Sequence, residues 1–112
     1  MPASLTQILS PSTMEYLVGE IRAETIDCTA SLGTGENISA PLITIVDNAN
    51  GAAVYGITAG PSTSDGKTTT YTIWTGRLAA GHSYTLTLAV TGTNATTTRK
   101  LEFTRTLQVN RY

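Results

Sequence analysis

The chain has 112 residues, of which 13% are charged, and a formal net charge of −1. That length fits one domain, and the near-neutral balance excludes the basic stripe of a nucleic-acid binder and the polybasic patch of a membrane-surface protein. Threonine supplies 22 residues, a composition suited to pleated strands that turn hydroxyls toward solvent.

The first residues have neither a basic n-region nor a continuous apolar stretch, so they do not read as a signal peptide. No later apolar run approaches the length of a membrane span. The expectation is a protein made in the cytoplasm that stays there or leaves by a route other than standard secretion. Residues 1–13 contain Pro2, Pro11 and an apolar patch of Leu5, Ile8 and Leu9. They predict an extended N-terminal arm, followed by a domain over residues 14–112. Met14, Leu17, Val18 and Ile21 fall at helical spacing. Gly19 and the β character of all that follows favour a strand entering the first sheet.

Residues 25–32 alternate, with Ile26, Cys28 and Ala30 on one face, and Gly33 and Gly35 close the segment. Pro41 opens a short apolar run over residues 42–46 that reads as a central strand. Asp47, Asn48, Asn50 and Gly51 are dense in turn chemistry, with Gly51 suited to positive φ, and residues 53–57 return as the second arm of that hairpin. A loop follows over residues 60–67. Residues 68–75 then place Thr69, Tyr71, Ile73 and Thr75 on one face and Thr70, Thr72 and Trp74 on the other. Trp74 therefore has two readings: an anchor for a partner or a sugar ring on the outer face, or a core residue if both faces of the strand are buried.

The clearest segment comes next. Leu78 and a turn at Gly81 lead into Tyr84, Leu86, Leu88 and Val90, which alternate with Thr85, Thr87, Ala89 and Thr91. A tyrosine at a strand entrance after such a turn is similar to the tyrosine corner of immunoglobulin-like sandwiches, in which the hydroxyl ties back to upstream backbone. The last strand sets Leu101, Phe103, Arg105, Leu107 and Val109 on one face. Arg105 is out of place there, and a β-bulge or an edge position is expected to swing it to solvent. About seven short strands at regular spacing predict an all-β, immunoglobulin-like sandwich.

Chemistry-bearing motifs are sparse. Cys28 is the single cysteine, so no internal disulfide forms, and it reads as a small buried hydrophobe. His82 is the single histidine and lies in a turn, without ligand spacing to Asp27, Asp47 or Asp65. The run at residues 47–50 lacks the acidic count and distal glutamate of an EF-hand. Asn37 and Asn94 match the glycosylation pattern only as expected by chance in a threonine-rich chain. The carboxylates form no tight pair in sequence, and no nucleophile elbow exists. The reading is a non-enzyme without metal or cofactor.

Residues 65–84, the threonine-rich hairpin after them and the terminal strand through Leu107 and Val109 together carry a resemblance, as does the approach from Pro11 to Tyr16. Over roughly residues 11–110 the chain resembles the small immunoglobulin-like virion proteins of tailed bacteriophages, of the fiber–tail adaptor or head–tail-region type. The resemblance implies a structural protein of the neck or tail, an adaptor or connector. It would be multimeric in the particle and assembled in the bacterial host cytoplasm. Its partners would be other virion proteins: portal, tail, fiber or capsid. It brings no catalytic residues. Docking is then expected through the sandwich surface and the N-terminal arm, with Leu5, Ile8 and Leu9 as the docking residues of the arm. Two alternatives stay open: a capsid decoration protein, and a carbohydrate- or surface-binding module using Trp74, Tyr55 and Tyr71 as a stacking platform.

Overall fold

Alternation of branched and apolar residues builds eight strands in a computed structural model that describes residues 4–63 and 65–111. They are β1 (Ser4–Leu17), β2 (Ile21–Asp27), β3 (Asn37–Asp47), β4 (Ala53–Val54), β5 (Thr58–Ser62), β6 (Thr68–Trp74), β7 (Ser83–Thr93) and β8 (Thr98–Asn110). Two sheets pack face to face. One has five strands in the order β1-β8-β7-β3-β4, the other three in the order β2-β6-β5. All pairs are antiparallel except β1 with β8. The domain is an all-β sandwich. In immunoglobulin terms β8, β7, β3 and β4 take the places of G, F, C and C′, and β2, β6 and β5 those of B, E and D.

The period-2 pattern sets the core directly. Tyr84, Leu86, Leu88 and Val90 of β7 and Leu101, Phe103, Leu107 and Val109 of β8 face Ile26 of β2 and Tyr71 and Ile73 of β6. Gly51, at φ 72, closes the β3–β4 turn, where its N–H donates to Asp47 O at 2.8 Å. No helix forms over residues 14–22. β1 runs to Leu17, and Thr75 then clamps the turn into β2: its hydroxyl donates to Leu17 O at 2.6 Å and accepts from Glu20 N–H at 2.9 Å.

Four expectations need correction. First, residues 4–13 are not an arm outside the domain. They are the first half of β1, paired in parallel with β8. Pro11 and the loss of alternation mark a register shift, so that residues 9–12 stand opposite Arg105 alone. Second, β2 ends at Asp27, and Thr29–Ser31 form a 3-10 turn that leaves Ala30 exposed, because the Asp27 carboxylate accepts from Thr29 N–H at 2.9 Å and bends the chain. Third, the return arm after the Asp47 turn is only the two residues of β4. Gly56, at φ 76, turns the chain away, so Ile57 leads into β5 of the other sheet.

The fourth correction concerns Arg105. It stays on the inward face and is only 7% exposed. The bulge that the sequence calls for exists, but β1 carries it. β8 lies between β1 and β7, so it has no free edge toward which the side chain could swing. The bulged β1 backbone instead offers Pro11 O, which accepts from Arg105 Nε at 3.0 Å.

Candidate functional site

The most distinctive surface is the outer face of the five-stranded sheet. Strand registers place Thr13, Thr106, Thr85 and Val46 in one rank across β1, β8, β7 and β3. The next rank holds Ile8, Thr104, Thr87 and Thr44. Neither rank carries a charge. Glu15 on one side and Lys100 and Glu102 on the other bound the area. Threonine does this well: its branched body fills the pleat, and its methyl and hydroxyl reach solvent together. Ile8 is 75% exposed within this face. Leu9, one residue on, is half-buried and packs against the core. The Leu5 backbone pairs with Leu101, but its side chain lies outside the described residues. The structure thus separates Ile8 from Leu9, two of the three apolar residues that the sequence groups as a docking patch.

The strand edges are obstructed. β1 carries Pro11 and β5 carries Pro61. β3 carries Pro41 beside Ala40, whose φ of 51 marks a register shift between Ser39 and Leu42. β4 is two residues long. β2 has no proline, but it turns Arg22 and Glu24 inward. The Arg22 guanidinium lies 4.3 Å above the Tyr16 ring, and the Tyr16 hydroxyl donates to Glu24 Oε2 at 2.7 Å. Burial pushes the Tyr16 hydroxyl pKa far up, and the bond to Glu24 adds to that. Prolines, bulges, short strands and inward charges are the devices that keep a sheet edge from pairing with another chain.

Trp74 lies on the outer face of the three-stranded sheet, opposite Ile21, and is 38% exposed. Its ring is not a free platform. Arg77 sits 5.4 Å from the ring centroid. Gly76 comes so close that an added Cβ would fall 2.5 Å from the indole. Tyr71, two residues after Thr69, points into the core on the opposite face, where burial pushes its hydroxyl up to about 12. Tyr55 is exposed between β4 and β5. The three aromatics are not brought together.

Tyr84 opens β7, and its hydroxyl accepts from Ala79 N–H at 2.9 Å, five residues upstream. The same turn is tied to β8 through Gly81 N–H donating to Val109 O at 2.7 Å. His82 is exposed, with Nδ1 at 3.2 Å from Asp47 Oδ2. Asp47 also accepts from Ala49 N–H, which with His82 lowers its carboxyl pKa. Among the described residues no three His, Cys, Asp or Glu side chains cluster as metal ligands. Cys28 is buried, and its thiol is pushed up to about 11.

One buried polar feature escaped the sequence reading. Glu36 is 2% exposed and takes a bidentate pair from Arg99, at 2.7 Å from Nε and 2.6 Å from Nη2. Gly33 N–H donates to it at 2.8 Å. Arg99 holds its carboxyl below the ordinary carboxylate range. The partners are 63 positions apart, so no local pattern could have announced them.

No family model, no curated protein and no solved structure matches the chain.

Proposed function

We propose that the protein is a non-enzymatic structural component of a tailed-bacteriophage particle, an adaptor or connector of the neck or tail that docks other virion proteins through the outer face of its five-stranded sheet. The observation that carries this reading is the uncharged threonine face set between obstructed edges. Interface centres are depleted of charge, whereas the surface of a free-standing domain is normally rich in it. Blocked edges direct association to faces rather than to strand addition. The likeness of residues 65–84 and of the terminal strand to small phage virion proteins supplies the setting.

Four strands at about 4.8 Å and the roughly six residues between Glu102 and Gln108 at about 3.4 Å give on the order of 400 Å² per subunit. A single contact of that size is smaller than a standard specific interface. It becomes strong where the symmetry of a particle repeats it. The reading needs no cofactor and no nucleic acid. It keeps docking on the sandwich surface and takes the N-terminal segment into that surface as β1, with Ile8 as its apolar contribution.

The test is incorporation. Particles purified from host cells that produce the chain should contain it in a fixed copy number. Thr87→Lys, at the centre of the face, should leave the domain folded and remove it from particles. Normal incorporation of that variant would reject the face. Absence of the wild-type chain from particles would reject the virion reading. Localisation on the capsid shell rather than at the neck or tail would favour the decoration alternative.

A further inference from the structure

Between β1 and the β2 end of the other sheet lies a cleft of about 360 Å³, lined by Ile8, Leu9, Ile26, Ala30, Phe103 and Arg105 among others. That volume is at the lower end for small-molecule sites; one part of the lining is apolar and the other is polar, with Gln7, Thr25, Asp27, Ser31 and Arg105. The cationic group is Arg105. It is 93% buried (7% exposed), and its Nε donates to Pro11 O. Among the described residues the two terminal nitrogens of its guanidinium have no hydrogen-bond acceptor, and Arg105 makes no ion pair. Asp27, the acidic residue of the lining, is engaged by Thr29 N–H and hydroxyl at 2.9 and 2.6 Å.

Among the described residues the buried side-chain atoms without a partner are Thr69 Oγ1 and Tyr71 Oη, so the Arg105 terminal nitrogens are not sealed off, and planar terminal nitrogens are suited to a carboxylate, which they grip through two parallel bonds. The register shift in β1 is what leaves room. Residues 9–12 stand without ladder partners opposite Arg105, and the Ser31 hydroxyl donates to Gln7 Oε1 to hold β1 beside the 3-10 turn. We propose that this cleft binds a carboxylate carried on a small apolar group, with Arg105 on the carboxylate and Ile26, Phe103 and Leu9 around the apolar part. The chemistry is shared by a free aliphatic acid and by a peptide C-terminus with an apolar last residue. The proposal is independent of the virion reading.

Titration of the labelled full chain followed by amide NMR tests it, with hexanoate, hexanamide, N-acetyl-alanyl-leucine and its C-terminal amide as probes. Hexanoate or the free-acid dipeptide should shift the Ile26, Ala30 and Phe103 amides saturably, at least tenfold more tightly than the matching amide. Saturation by hexanoate alone identifies a free acid as the source, and tighter binding of the dipeptide identifies a chain terminus. Arg105→Met should abolish the preference for the carboxylate, and Arg105→Lys should retain part of it. Equal affinity for acid and amide, or no saturable shift with either acid, would overturn the proposal. The acid–amide comparison uses the unaltered protein, so it decides the matter even if Arg105 variants fail to fold.

Discussion

Replacing Glu36 with alanine removes a carboxylate that accepts three N–H bonds, two from Arg99 and one from Gly33. Glu36 is buried, but the Arg99 side chain is 30% exposed and can turn its guanidinium to water once released. That discounts the cost below that of a fully buried pair, to about 2–3 kcal/mol. The site also constrains its neighbour: an added Cβ on Gly92 would lie 2.5 Å from Glu36 Oε2 and 3.0 Å from Leu101 Cδ1. Gly92→Ala should therefore destabilise largely by expelling Glu36. In the double variant Glu36→Ala/Gly92→Ala the two costs should not add, and the shortfall should be about 1–2 kcal/mol. Urea unfolding followed by tryptophan fluorescence measures all four proteins. The pair also sets a pH dependence. The folded Glu36 carboxyl titrates below its unfolded value, so its stabilisation is complete above the unfolded value. It is lost as pH falls through the folded one. The gap between wild type and Glu36→Gln should then narrow below about pH 4.5. Strict additivity of Glu36→Ala and Gly92→Ala, or a gap that widens in acid, would refute this account of the site.

Three further outcomes can be checked by similar means. Tyr84→Phe should cost about 0.5–1.5 kcal/mol while keeping the fold, since it removes the acceptor of Ala79 N–H; an unchanged denaturation midpoint would reject the corner. Thr75→Val and Thr69→Val should behave oppositely: Thr75 bonds both ends of the β1–β2 turn, whereas the buried Thr69 hydroxyl has no partner. The first should lose about 1–2 kcal/mol and the second should be neutral or slightly stabilised, as read by thermal unfolding. Cys28 should react with a thiol reagent at pH 8 at least about a hundredfold more slowly in the native protein than in urea, because its thiol is buried and titrates near 11; equal rates would place it at the surface.

Where a strand has core on one face and water on the other, the sequence states its structure openly. Residues 68–75 show it: Thr69, Tyr71, Ile73 and Thr75 are buried while Thr70 and Trp74 are exposed. Tyr84 was legible for a related reason, since turn, tyrosine and strand are consecutive. β1 was hidden because its alternation is broken at Pro11 and its partner strand lies some 90 positions away. Arg105 was misplaced by the same fact: the carbonyl that lets it remain inside belongs to Pro11, 94 positions upstream. The uncharged face is spread over four strands, and each contributes threonines that look ordinary until registers align them.

The central claim is that the outer face of the five-stranded sheet docks this sandwich into a phage particle. The most direct measurement is a cryo-electron microscopy map of particles from host cells producing the chain, at a resolution that places the strands. The account predicts the sandwich at the neck or tail, with Thr44, Thr87 and Thr104 covered by another virion protein. A map that places the domain in the particle with this face open to solvent, or particles that lack the domain altogether, would contradict it.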